Sequence, residues 1–224
     1  MKDGPSIARI AALVGEPARA EMLTALLGGQ ALTATELAHQ ADVTKQTASA
    51  HLAKLLDAQL LAVESQGRHR YFRLADHDVA QLLESLMGVA YRAGAVRLRS
   101  SPREPALRHA RVCYDHLAGD LGVLLYDGLR KRGWLKGEGP GLAVSKSGVT
   151  ALQSLGIEWQ GPSRRPECRT CLDWSVRRHH LAGSLGDALL RYCYERKWAR
   201  RVEGTRVVAF TKLGETAFRE RFAP

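Results

Sequence analysis

Apolar residues recur at three- and four-residue spacing through most of the first hundred positions, which predicts amphipathic helices. Ile7, Ile10, Ala11 and Val14 share one side of a helix over Ser6–Val14. Pro17 suits the first position of a second helix, where a missing N–H costs nothing. Leu23, Leu26 and Leu27 form its apolar side, and Gly28-Gly29 ends it. From Thr35 to Asp57 the pattern reads helix, tight turn, helix. Leu37, Ala38 and Ala41 line the first helix, Asp42-Val43 breaks it, and Thr44 caps the second. Ala48, Leu52, Leu55 and Leu56 then point to a core. Leu60–Val63 predicts a strand, Glu64–Gly67 a turn, and the alternating Arg68–Leu74 a second strand. Asp76 opens a helix predicted to reach Arg99, striped by Val79, Leu82, Leu83, Leu86, Val89 and Ala90. The stripe is longer than one domain's core needs, which predicts a dimer interface.

A short polar helix held across a tight turn by a partner is a DNA-reading arrangement, and a basic hairpin after it is a wing. Thr44, Lys45, Gln46, Thr47, Ser49, His51 and Lys54 are the candidate contacts on the second helix, and Arg68, His69 and Arg70 those on the wing. Lys, Gln, Thr and Ser side chains suit base edges and phosphates. The predicted fold is mainly α with short β wings (α+β). A winged helix-turn-helix over residues 1–100 is followed by a C-terminal domain over 101–224.

The segments Val14-Gly15-Glu16-Pro17-Ala18-Arg19, Glu36-Leu37-Ala38, Val43 to Leu52 and Gly67 to Leu74 carry a specific resemblance. In order and spacing this part of the chain resembles the ArsR/SmtB-type bacterial repressors. The resemblance implies a homodimer bound to double-stranded operator DNA through the second helix and the wing, and repression relieved by an inducer. Ala50 stands where the family often carries Arg, so a shared operator sequence is not implied. The resemblance also implies two metal boxes that can be laid on the chain. The thiol positions of one fall on Thr33 and Thr35. The other needs Asp and His near the start of the dimer helix and more ligands about a dozen residues on; Asp76, His77 and Asp78 are present, but Gly88, Val89 and Tyr91 follow. Neither box is complete, so sensing is expected in the continuation.

Ser100–Pro105 reads as a linker. Beyond it lies an internal repeat. His116-Leu117-Ala118-Gly119-Asp120-Leu121-Gly122 returns 64 residues later as His180-Leu181-Ala182-Gly183-Ser184-Leu185-Gly186, and Trp134 returns as Trp198. Ser145-Lys146-Ser147-Gly148 matches Thr211-Lys212-Leu213-Gly214. Each copy, about 107–160 and 171–224, predicts helix, β hairpin, helix, a winged-helix-like unit. The repeated glycines are read as sitting within helices at close helix–helix approaches, the tryptophans as core anchors, and the histidines as helix caps.

The cysteines fall outside the fixed offset, since Cys113 aligns with Arg177 and Cys193 with Leu129. Cys168 and Cys171 form C-x-x-C spacing beside Arg164, Arg165 and Arg169, and nearby positive charge favours thiolate. Cys113 and His116 would share one helical face. Cys113, His116, Cys168 and Cys171 are therefore the candidate metal or redox set, for a thiophilic ion such as zinc, cadmium or arsenite. Cys193, between two tyrosines, reads as a buried apolar residue.

Charge and composition narrow the partners. Of 224 residues 45% are hydrophobic, and the net charge is +10. Such a balance favours a polyanion, most simply DNA. No apolar run is long enough for a membrane span, and Met1–Pro5 lacks a signal peptide's apolar core. A cytoplasmic chain with free thiols is expected. Two competing classes remain: a repressor whose duplicated domain takes an organic inducer, and a thiol enzyme using Cys113 and His116. No phosphate loop or Ser/His/Asp set supports an enzyme.

Overall fold

In a computed structural model of the chain, residues 4–66, 69–95, 103–159 and 166–224 are described. They pack as two compact units, Met1–Leu83 and Glu84–Pro224. The boundary expected at residue 100 lies outside the described residues.

The first unit holds α1 (Ile7–Val14), α2 (Pro17–Leu26), β1 (Leu32–Thr33), α3 (Ala34–Gln40), α4 (Lys45–Asp57), β2 (Leu61–Gln66) and β3 (His69–Leu74). Thr33 starts α3 with a reciprocal cap: its hydroxyl accepts from the Glu36 N–H, while the Glu36 carboxylate accepts from the Thr33 N–H at 2.7 Å. Asp42 takes the left-handed conformation at the turn, φ 52°. Thr44 then caps α4 by accepting from the Thr47 N–H. β1 is an addition to the predicted elements. It pairs with β3, giving the antiparallel order β1-β3-β2. β2 extends through Gln66, which pairs with His69, so Glu64–Gln66 belong to the ladder rather than the turn.

Met22, Leu23, Leu26, Leu27, Leu37, Leu52, Leu55 and Leu74 fill the core of this unit. Leu37, wholly buried, sits on the helix that braces α4. Leu37→Ala is expected to lower stability by about 2–5 kcal/mol through lost burial and a residual cavity, read by urea denaturation.

Helix α5 (His77–Arg92) runs from the first unit into the second. The Asp76 carboxylate accepts from the Val79 N–H at its start. It is shorter than predicted, because the chain turns at Gly94, φ 70°; Arg99 lies outside the described residues. The expected linker is partly helix instead. Arg103–His109 forms α6, with Pro105 in its first turn where proline is tolerated, and Ser100–Pro102 lies outside the described residues.

The duplication is plain in the second unit. The first copy runs β4 (Arg111–Cys113), β5 (His116–Ala118), α7 (Asp120–Lys131), β6 (Leu135–Lys136), β7 (Ala143–Val144) and α8 (Lys146–Ser154). The second runs β8 (Arg169–Leu172), β9 (His179–Ala182), α9 (Ser184–Glu195), β10 (Ala199–Arg201), β11 (Val208–Phe210) and α10 (Lys212–Phe222). Each copy thus begins with a hairpin that the periodicity did not predict. The His-Leu-Ala segments are strands, not helix starts. Gly119 and Gly183 stand just before the helices with φ of 83° and 91°, a conformation that strains any residue with a Cβ.

The two copies share one core. Leu121, Leu125 and Leu129 of α7 meet Leu185 and Leu189 of α9, with Phe218 and Phe222 of α10. The copies are also stitched by backbone: the Val112 N–H donates to the Arg206 carbonyl at 2.8 Å, and the Val208 N–H to the Ala110 carbonyl at 3.0 Å. Gly122 and Gly186 serve a crossed contact between helix and strand. A Cβ on Gly122 would lie 3.5 Å from His180 Cβ, and one on Gly186 only 3.1 Å from His116 Cβ. The tightest limits are the Leu117 and Leu181 carbonyls of the same copy, at 2.5 and 2.6 Å, with the histidine of the other copy next.

Candidate metal centre and nucleic-acid interface

On α4 the core side is Ala48, Leu52 and Leu55. Thr44, Lys45, Gln46, Thr47, Ser49 and Lys54 are exposed. Thr44 and Thr47 share a hydroxyl–hydroxyl hydrogen bond of 2.9 Å, and the Ser49 hydroxyl donates to the Lys45 carbonyl at 2.9 Å. His51 is placed differently. Its side chain is half-buried, with Nδ1 3.2 Å from an Arg19 guanidinium nitrogen. Arg19 itself donates to the Leu13 and Ala12 carbonyls and so closes the end of α1. On the wing, His69 and Arg70 are exposed, and the Arg70 guanidinium lies 5.5 Å over the Phe72 ring. Gly67 and Arg68 lie outside the described residues.

In the second unit the two new hairpins bring four ligand-type side chains together. Cys113 pairs across the first hairpin with His116, and Cys171 across the second with His180. The four ligand atoms all lie within 4.8 Å of one another, and all four residues are buried. The sulfurs are 3.9 Å apart and the two Nε2 atoms 3.1 Å apart. Cys113 and His116 therefore meet as cross-strand neighbours, not along a helical face. Cys168 is separate: it packs in the apolar core, where burial pushes its thiol up to about 12. Cys193 is likewise buried in that core. The C-x-x-C spacing does not operate as a pair, because Cys171 turns to Cys113 instead. Arg164 and Arg165 lie outside the described residues.

Each imidazole has a carboxylate near its Nδ1 atom. His116 Nδ1 is 3.1 Å from Asp115 Oδ1, and His180 Nδ1 is 3.5 Å from Asp173 Oδ2. The two Nε2 atoms lie within hydrogen-bond distance, so a proton on the Nε2 of one ring can be shared with the other, while His180 Nδ1 makes no hydrogen bond to Asp173. Two imidazole nitrogens and two sulfurs facing one point are also donor types that a thiophilic cation binds. Burial opposes a charge on His116, but the Cys113 sulfur and then Asp115 outweigh it, raising its pKa to about 10. His180 moves the other way, through burial and then the charge of His116. The Cys113 thiol is pushed well up by its contact with Cys171 and by burial.

Asp173 is the most heavily bonded group behind the centre. One oxygen accepts from the Arg111 guanidinium at 2.9 Å and from the Gly119 N–H at 2.7 Å. The other accepts from the Ser175 N–H and hydroxyl and from the Val176 N–H. Burial alone would raise its pKa; Arg111 and then His180 hold it far below the usual carboxylate range. Arg111 is wholly buried, stacks 4.6 Å over the Trp174 ring, and Trp174 meets Tyr91 of α5 at 6.0 Å. Another α5 residue, Glu84, is buried in an ion pair of 2.8 Å with Arg206.

The cysteines do obey the duplication, contrary to the fixed-offset expectation. Arg111-Val112-Cys113-Tyr114-Asp115 corresponds to Arg169-Thr170-Cys171-Leu172-Asp173, 58 residues on. The second hairpin carries six more residues between its cysteine and its histidine, so the offset changes from 58 to 64 within one motif. His180, absent from the predicted set, follows at once from this alignment. Its reading as a helix cap fails because it lies on β9, wholly buried.

Comparison with known proteins agrees with the first unit's geometry. Residues 14–64 match the helix-turn-helix domain family. Over 216 residues the chain is 44% identical to YdfF, an HTH-type transcriptional regulator of Bacillus subtilis (strain 168), spanning 96% of each chain. Among solved structures, the cadmium metal-sensor CMTR from Mycobacterium tuberculosis is 30% identical, with 36% of this chain and 82% of that one covered, at a TM-score of 0.32. A homodimeric winged helix-turn-helix domain from Mycobacterium bovis, described as a possible ArsR-family regulator, is 27% identical, with 39% and 89% covered, at a TM-score of 0.35. With a helix-turn-helix followed by a β hairpin, and a relative matched along almost its whole length, the chain belongs to the HTH-type transcriptional regulators.

Proposed function

We propose that this regulator is a homodimeric, cytoplasmic repressor released from its operator by a thiophilic metal ion bound in the second unit. One observation carries the reading: two buried thiols and two buried imidazoles converge within 4.8 Å, a mixed sulfur and nitrogen set suited to a thiophilic ion. The donor set is Cys113, His116, Cys171 and His180; Cys168 is left out of it. Oxidation of the Cys113–Cys171 pair would use only two of the four groups, so metal binding is the better fit to the whole set. A thiol enzyme is disfavoured, since a buried, raised-pKa Cys113 is the reverse of an activated nucleophile.

Homodimerisation is supported by the exposed stripe on α5, where Leu82, Leu86 and Val89 are 39%, 44% and 52% exposed. Such a stripe at helical spacing suits a second copy. DNA contact is assigned to Thr44, Lys45, Gln46, Thr47, Ser49 and Lys54 on α4 and to Arg68, His69 and Arg70 on the wing. His51, turned toward Arg19, would support α4 rather than read a base.

Signal would pass through α5. Tyr91 meets Trp174, which stacks on Arg111, which binds the Asp173 behind His180. The amino-terminal half of the same helix belongs to the DNA-binding unit.

The DNA assignment is tested with operator fragments selected from genomic DNA, titrated at several salt concentrations. Lys45→Ala with Arg70→Ala is expected to weaken binding and to lower the slope of log affinity against log salt by about two, one for each lost phosphate contact. An unchanged slope and affinity would remove α4 and the wing from the interface.

A further inference from the structure

We infer that the four-residue centre is a closed, electrically neutral site for a zinc-class divalent ion, tying the two copies together and discriminating against arsenite. The inference takes its ligand set from the reading above but does not depend on the ion's being the regulatory signal.

The distances are the first argument. A tetrahedron's edge is roughly 1.6 times its centre-to-corner bond, so zinc bonds of about 2.3 Å to sulfur and about 2.0–2.1 Å to nitrogen put sulfurs about 3.8 Å and nitrogens about 3.3 Å apart. The observed separations are 3.9 Å and 3.1 Å. These two edges already have the spacing of a four-coordinate ion, and the remaining donor atoms lie within 4.8 Å.

Charge is the second. A divalent ion would displace one proton from each of Cys113 and Cys171 and the Nε2 proton of His116, and the two thiolates would then balance its two positive charges. The two imidazoles bind as neutral ligands, so no net charge is buried, which a centre at 0–5% exposure requires. A monovalent copper ion would leave one negative charge uncompensated in the same space.

The donor count is the third. Arsenite, AsO₃-type trivalent arsenic, is held best by three sulfurs, and only two are present; the third nearby thiol, Cys168, lies in the apolar core. Hard ions such as magnesium and calcium take oxygen ligands. The nearby carboxylates face the histidine Nδ1 atoms rather than the centre: Asp115 bonds His116 Nδ1 at 3.1 Å, and Asp173 lies 3.5 Å from His180 Nδ1.

The architecture is the fourth. Each copy supplies one cysteine and one histidine from a single hairpin, and each histidine lies beside Gly122 or Gly186 of the opposite copy. Loading would therefore link the copies and stabilise the unit.

The test uses the purified full-length chain, stripped of metal and kept reduced, with cobalt(II) as the spectroscopic probe. One equivalent per chain is expected to give thiolate-to-cobalt charge-transfer absorption and the intense d–d bands of a tetrahedral centre. One equivalent of zinc should bleach them and raise the melting temperature; a large excess of arsenite should not bleach them. Cys171→Ser should abolish the charge-transfer band at one equivalent, and Cys168→Ser should leave it intact. Asp115→Asn, on a partly exposed side chain that folding tolerates, should weaken cobalt affinity about 10–100-fold while the spectrum keeps its shape. Weak octahedral bands, displacement by arsenite, or loss of the spectrum in Cys168→Ser would overturn the assignment. Tetrahedral cobalt with unaltered operator affinity would leave this site standing and remove metal control of DNA binding.

Discussion

Exchanging Arg111 for methionine is expected to destabilise the chain by about 3–5 kcal/mol, because it strands a carboxylate in the interior. Arg111 and Asp173 are both wholly buried and belong to different copies of the duplication. Methionine keeps much of the packing on Trp174, so the loss is chiefly electrostatic. Thermal unfolding in the presence of a chelator reads it free of any metal contribution, as a fall in melting temperature of roughly 10 °C or more. The pH dependence identifies the cause. Asp173 has a folded pKa far below its unfolded value of about 3.9, so its pairing contributes at neutral pH and is lost only as pH falls toward the folded pKa. Without Arg111 the carboxylate is relieved by protonation. The gap between wild type and Arg111→Met should therefore narrow on acidification. Adding Asp173→Asn to Arg111→Met should restore part of the loss, since a neutral amide is less costly to bury. A gap independent of pH would mean that packing, not charge, dominates.

Replacing Cys113 and Cys171 together by serine is expected to uncouple operator binding from metal. Allosteric couplings commonly amount to about 1–3 kcal/mol, or about 5–150-fold in affinity. The double variant should bind operator like metal-free wild type and show no change on adding zinc. Serine is nearly isosteric with cysteine, and both positions lie in a small patch with Ala118 and Ala182, so the fold has little reason to rearrange. Cys168→Ser with Cys193→Ser provides the comparison: both thiols are buried outside the centre, and the metal response should survive their loss. Fluorescence anisotropy with labelled operator reads each of the three proteins with and without zinc.

The first unit was legible because its helices are long enough for apolar spacing to show. Leu37, Ala48, Leu52 and Leu55 are buried where that spacing placed them. Thr44 caps α4 as its position suggested, since a hydroxyl beside unpaired N–H groups has one obvious use. β1 escaped notice because two residues carry no period. For the same reason β4 and β5, of three residues each, were hidden beside the strong helical pattern of α7. That error moved His116 and His180 onto helices and made them look like caps. A six-residue difference in one hairpin loop did the rest, since a fixed offset could not place Cys171 beside Cys113. The Arg-x-Cys-x-Asp recurrence was the signal that would have found all four ligands, had the offset been allowed to change between the cysteine and the histidine.

Operator affinity of the wild-type chain, measured in chelator and again with one equivalent of zinc per chain, tests the regulatory reading most directly. Metal control predicts that zinc weakens binding by about tenfold or more, within the usual range of allosteric coupling, and that chelator restores it. Equal affinity in both conditions, with zinc shown to be bound, would contradict it and leave the ion as a staple between the two copies.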